Sequence, residues 1–144
     1  MNRNFLFNQL VDHEGIRLFP YVDTKGKTTI GVGRNLTDRG ISTSEAHHLC
    51  WNDIDIAERA LDRNARWWRT LPEIQQRVLA EMCFQLGWTR LAKFEKFLAA
   101  LQHGDDEAAS AEMLDSLWAD QTDGKEDGKI GNRAKKLAKM ILEV

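Results

Sequence analysis

Glu14, Asp23 and Thr29 are the residues of this 144-residue chain whose types and spacing could do chemistry. They stand in HEGIRLFPYVDTKGKTTIGVGRN, residues 13–35: one carboxylate precedes a glycine, the second opens the turn DTKG, and the threonine leads an alternation with Gly31 and Gly33. Paired carboxylates flanking a groove are the general requirement of glycoside hydrolysis. One keeps a proton for the leaving oxygen while the other stays ionised across the sugar ring. Side chains alternate along a strand, so KTTIGVG is expected to put Thr28, Ile30 and Val32 on a core face. Thr29, Gly31 and Gly33 then form a face of bare backbone open to a ligand. Spacing alone leaves a second reading open, with Glu14 a helix-end charge, Asp23 a turn residue and the glycines bulge residues.

The elements around this stretch follow from periodicity. Residues 4–12 carry Phe5, Leu6, Gln9, Leu10 and Val11 at the spacing of one helix face, ending near Gly15. Pro20 blocks continuation, and residues 17–35 are the only good β region. Ser42 and Glu45 read as a capping box opening a long helix through Leu49, Ile54, Ala57 and Leu61. A further helix starts at Pro72 and runs to Gly87 with Ile74, Val78, Leu79, Met82 and Cys83 as its stripe. Helices are expected over 94–101, 105–118 and 132–142, with Asp105 a cap and a Gly- and charge-rich loop at 122–131. The sum is an α+β chain whose strands are confined to one end.

The composition, 42% hydrophobic and 29% charged with mean hydropathy −0.48, is that of one soluble globular domain. A net charge of −2 supplies no general field for nucleic acid or an anionic membrane. One local exception is residues 129–144, where Lys129, Arg133, Lys135, Lys136 and Lys139 face a single acid, Glu143. Cys50 and Cys83 show no metal-ligand spacing and are expected to be buried thiols. The DGKEDGK run lacks the ligand order of a calcium loop, so no metal and no cofactor is expected. No apolar run near residue 1 suits a signal peptide or anchor, which predicts a chain that stays at first in the cytoplasm.

Residues 13–35 resemble the active-site segment of the phage lysozymes of glycoside hydrolase family 24, the T-even phage type. That segment reads E-G-x-R-L-x-x-Y-x-D-x-x-G-x-x-T-I-G-x-G, and the spacing E-x8-D-x5-T is met by Glu14, Asp23 and Thr29. Further likenesses are ISTSEAHHL (41–49), EMCFQLG (81–87) and SLWADQT…GNRAKKL near the end.

The resemblance implies a lysozyme-like α+β fold, with a small β-containing lobe (13–41), an interlobe helix (42–68), and a helical lobe (1–12 plus 69–144) across a cleft. It implies a monomeric endolysin, held in the host bacterial cytoplasm until a holin-type pore admits it to peptidoglycan. There it would cleave the β-1,4 bond between N-acetylmuramic acid and N-acetylglucosamine with inversion. Glu14 becomes the general acid, with Asp23 and Thr29 acting on the attacking water. Gly33, Arg34, Asn35, Phe84, Gln85, Asn132 and Arg133 become substrate-binding residues, and Arg133 is set against Glu14. Trp67 or Trp68 is a further candidate for the cleft, while His47 and His48 are expected on the exposed side of their helix. The competing readings are a lytic transglycosylase and a silent wall-binding module. Arg34 stands where the family often has His, and either contacts substrate or pairs with an acid on the interlobe helix. The loop at 122–131 is longer than the T-even pattern and is expected to be a flap.

Overall fold

The computed structural model describes residues 1–116 and 133–144. The architecture is α+β and lysozyme-like in its elements, with one small sheet near the N-terminus and helices after it. Backbone contacts divide the chain into two units, Met1–Leu49 and Cys50–Val144. Trp118, Asn132 and the loop at 122–131 lie outside the described residues.

In the first unit, α1 (Arg3–Glu14) starts where the Asn2 side chain accepts the N–H groups of Asn4 and Phe5. It stops at Gly15, so Glu14 is its last helical residue. No residue of α1 is buried: Phe5 and Leu10, expected on a packed stripe, stay exposed. β1 (Arg17–Val22), β2 (Thr28–Gly31) and β3 (Arg34–Asn35) form an antiparallel sheet in that order. The register Arg17↔Gly31 and Tyr21↔Thr29 sets four steps of β1 against two of β2. The surplus lies between Arg17 and Tyr21, a stretch that contains Pro20, which has no N–H to give a ladder, and in which Leu18 and Phe19 are exposed.

The expected alternation of KTTIGVG fails. Thr29 is 4% exposed and is the one buried residue of Met1–Leu49, whereas Thr28 and Val32 are exposed. β2 ends at Gly31 because Gly31 and Gly33 both adopt φ +69°, which turns the chain out of the pleat. A short helix α2 (Leu36–Arg39) and then α3 (Thr43–Asn64) follow. The capping box is present, with the Ser42 N–H donating to Glu45 at 2.7 Å and the Glu45 N–H donating to Ser42 Oγ at 3.1 Å.

The second unit contains the core. α3 contributes Ala57 and Leu61 and ends at Asn64, short of residue 68, followed by a 3-10 turn at Arg66–Thr70. Trp68 is buried there, its Nε1 donating to Asp62 at 2.8 Å while Arg69 covers its ring, and Trp67 packs half-buried against the core. Trp68 is therefore a core fastener and no candidate for a cleft. Then come α4 (Glu73–Leu86), α5 (Trp88–Leu91), α6 (Glu95–His103), α7 (Asp106–Leu114) and α8 (Arg133–Ile141). Asp105 caps α7 as expected, accepting from Ala108 at 3.0 Å. Phe97, Leu79, Met82, Met113 and Ile141 close the core.

Cys83 is buried, and desolvation pushes its thiol above the usual range. Cys50, expected to be buried, is exposed and lines a surface cavity. Gln75 is 2% exposed and donates from Nε2 to Asp106 Oδ1 (2.9 Å) and to the carbonyl of Ile141 (3.2 Å), tying α4 to α7 and α8.

Two predictions follow from these polar ties. Gln75→Leu adds apolar surface, yet it strips the Ile141 carbonyl of its partner, so the expected outcome is a loss of about 1–3 kcal/mol in urea unfolding; a more stable variant would refute the tie. Arg34 grips Glu45 in the first unit and, with Ser42, brings its carboxyl down to about 2. A depressed folded value means that this contribution is whole above the unfolded value near 4.5 and fades as pH falls toward 2. Glu45→Gln is expected to flatten the acid limb of thermal stability in that window, and an unchanged limb would refute it.

Candidate active site

The hairpin turn positions Asp23 and Thr29 through the backbone of one residue, Lys27. Asp23 Oδ1 accepts the N–H groups of Lys25 (2.8 Å) and Lys27 (2.9 Å), and the Asp23 N–H returns to the Lys27 carbonyl at 2.9 Å. That carbonyl also accepts the hydroxyl of Thr29 at 3.1 Å. Lys27 thus ties the carboxylate of Asp23 to the hydroxyl of Thr29. The N–H of Lys27 holds the Asp23 carboxyl below its ordinary range; desolvation opposes this and the N–H of Lys25 adds to it. Asp23 Oδ2 stands outside this turn network and Thr29 Oγ1 keeps accepting capacity.

Glu14 meets the far end of the same loop. A Cβ built on Gly33 would lie 3.1 Å from the Glu14 carboxyl carbon and from its Oε2, so only a residue without a side chain seats this carboxylate unperturbed. Gly33 is thereby a floor for the acid.

Arg34 takes the second of the two roles open to it. Its guanidinium makes a two-pronged pair with Glu45 on α3, at 2.6 and 2.9 Å, and also donates to the Gly40 carbonyl at 3.2 Å. These bonds engage three of its five N–H donors. Asn35, also expected to bind substrate, is the cap of α2: Oδ1 accepts the Asp38 N–H at 3.0 Å and Nδ2 donates to Asp38 Oδ2 at 2.8 Å. Asp38 in turn pairs with Lys27 Nζ at 3.1 Å, and Thr37 Oγ1 accepts the Thr28 N–H at 2.9 Å. α2 is thus a brace for the turn. Sequence reasoning missed Lys27, Thr37 and Asp38; their signal is present only as polar residues in the turn before β2 and in the short helix after β3.

In the second unit, Phe84 and Gln85 line an open cavity of about 520 Å³ with Cys50, Ile54, Ala57, Ala80, Glu58, Arg77, Glu81 and Arg133. Phe84 is 44% exposed, so it is a surface aromatic rather than a core one. Arg133, expected opposite Glu14, pairs with Glu81 at 3.5 Å. Asn132 lies outside the described residues. His47 and His48 are exposed on α3, as expected. Among the described residues no group of His, Cys, Asp and Glu gathers to hold a metal, and no helix is long and apolar enough to cross a membrane.

The chain is similar to three named proteins. The pre-baseplate central spike protein Gp5 of Enterobacteria phage T4 is 31% identical over 140 residues, covering 78% of this chain. The chain spans only 24% of that protein's length. Probable T4-type lysozyme 2 of Dictyostelium discoideum is 26% identical over 138 residues, covering 76% of this chain and 81% of the relative. Probable T4-type lysozyme 1 of the same organism is 25% identical over 146 residues, covering 81% and 86%. The sequence model of the family described as phage lysozyme matches residues 11–136, a span that runs from the last turn of α1 into α8 and includes every candidate residue above. On that match the chain belongs to the phage lysozyme family, whose members are lysozyme-like hydrolases of the cell wall.

Proposed function

We propose that this enzyme is an N-acetylmuramidase that hydrolyses the β-1,4 bond between N-acetylmuramic acid and N-acetylglucosamine in peptidoglycan, with inversion. The observation that carries the reading is the shared Lys27 carbonyl. Thr29 spends its own proton on that carbonyl, so its oxygen is left to accept one from a water. Asp23, kept ionised by the Lys27 N–H, accepts the other through Oδ2. A water held by these two hydrogen bonds presents a lone pair to the anomeric carbon, and Asp23 takes one of its protons as the new C–O bond forms. Glu14, at the end of α1, donates to the leaving oxygen. A transglycosylase needs the acid and has no use for a pair that holds water, so the Asp23–Thr29 arrangement favours hydrolysis.

In this reading Phe84 packs on a sugar ring and Gln85 bonds an acetamido group. The chain works as a monomeric endolysin, reaching the wall through a holin-type pore. The lobe division 13–41, 42–68 and 1–12 plus 69–144 belongs to the same proposal. The match to a spike protein favours a second setting for the same chemistry, a hydrolase carried on a larger assembly that opens the wall locally.

Glu14→Gln and Asp23→Asn are each expected to slow lysis of permeabilised Gram-negative cells by about 10²–10⁴-fold while leaving thermal stability near wild type. Lysis at the wild-type rate by either would end this assignment. Thr29→Ser, which keeps the hydroxyl, should retain more activity than Thr29→Ala. Digests should contain reducing muramic acid ends, and anhydro ends would favour the transglycosylase. Because the Asp23 carboxyl is held low, it stays ionised as pH falls through the ordinary value of 3.8, so its limb of the rate profile should lie below that pH.

A further inference from the structure

The outer face of α8 carries charge that neither the core nor the proposed site uses. The helix buries Ala134, Leu137, Ala138 and Ile141, and packs on α7 and α4. Its other side bears Lys135, Lys136 and Lys139, all exposed and spaced so that their side chains fall within about 100° of one helix face. Among the described residues no hydrogen bond or ion pair engages any of the three, whereas Arg133 is held by Glu81. Like charges at this spacing weaken a helix slightly, and of the three only Lys139, in the last turn, gains from the helix dipole. The segment 133–144 nets +3 in a chain of net −2, which leaves −5 on the remainder. The molecule is electrically lopsided.

We propose that this face docks the wall polymer itself, through the carboxylates of its peptide stems; the identity of the polymer rests on the function proposed above. Three observations select this partner. Lysines are compact, mobile point charges suited to carboxylates scattered along a flexible network, and lack the planar fork of arginine that matches fixed phosphates. A lipid surface is disfavoured because the apolar side of α8 is already spent in the core, leaving no face to insert. Nucleic acid is disfavoured because the face has no aromatic residue to stack and the acidic remainder repels a dense phosphate backbone. The same acidic remainder repels wall carboxylates too, so the lysine face sets which side of the molecule arrives first.

The test is co-sedimentation of the full chain with purified peptidoglycan sacculi, stripped of protein and phosphate polymers, at about 20 mM salt, where screening is weak. Lys135→Glu, Lys136→Glu and Lys139→Glu together are expected to lower affinity about tenfold. The matched control reverses Arg63, Lys93 and Lys96, which are exposed elsewhere on the same unit, and should lower affinity less than twofold. Amidating the wall carboxylates should bring wild-type binding down to the level of the variant. Equal loss in both reversed variants, unchanged binding in the α8 variant, or wild-type binding that needs the phosphate polymers would each overturn the proposal. The Lys→Gln triple variant, checked by circular dichroism, covers a failure of the reversed one to fold, and it should also bind more weakly than wild type. Binding is read apart from cleavage, so a Glu14→Gln chain that still cleaved would sink the active-site assignment and leave the docking result standing.

Discussion

The first unit depends on the backbone N–H and carbonyl of Lys27. Its N–H pins the Asp23 carboxylate, and its carbonyl receives both the Asp23 N–H and the Thr29 hydroxyl. A turn aspartate and a catalytic aspartate are usually alternative explanations of one residue; in the proposed mechanism one arrangement serves both. Oδ1 closes the turn, Oδ2 takes no part in that network, and holding Oδ1 restricts where Oδ2 can stand. Charge follows geometry, because the N–H that shapes the turn also favours the ionised carboxylate.

The second half of the loop is held from the other side. Gly31 turns the chain out of β2, Gly33 leaves room for the Glu14 carboxylate, and Arg34 then fastens the strand to Glu45 at the start of α3. Glu45 does three things at once: it completes the capping box, it places negative charge in the first turn of a helix, and it receives the guanidinium. Arg34 reaches two acceptors on the helix where a smaller imidazole would present a single proton to one. The departure from the family's usual residue is thus accommodated within the unit.

What the sequence made legible was local. The capping box, the Asp105 cap and the turn at DTKG rest on contacts within a few residues, and all are present; among the described residues the strands fall within 17–35. The face assignment of KTTIGVG failed because β2 buries the side bearing Thr29 rather than that bearing Thr28, and because Gly31 and Gly33, with positive φ, end the alternation before Val32. Gln75 escaped because a polar residue on an apolar stripe reads as an interruption until its partners on α7 and α8 are known. Trp68 was offered to a cleft because an indole is equally at home on a sugar and in a core; its bond to Asp62 decides for the core. Elements of four residues such as α2 and α5 are too short to show a period.

The two units are held by different physics. Cys50–Val144 has a shared apolar core, in which a lost side chain is felt as lost stability. Met1–Leu49 buries Thr29 alone and is ordered by directional bonds: caps, the Asp23 turn, the Asp38 brace and the Arg34 pair. A bond of that kind contributes little to unfolding free energy when its groups are near water, yet it sets angles that burial cannot set. Substitutions among Lys27, Thr37, Asp38 and Arg34 therefore act first on the placement of Asp23, Thr29 and Glu14, and only weakly on whether the chain folds.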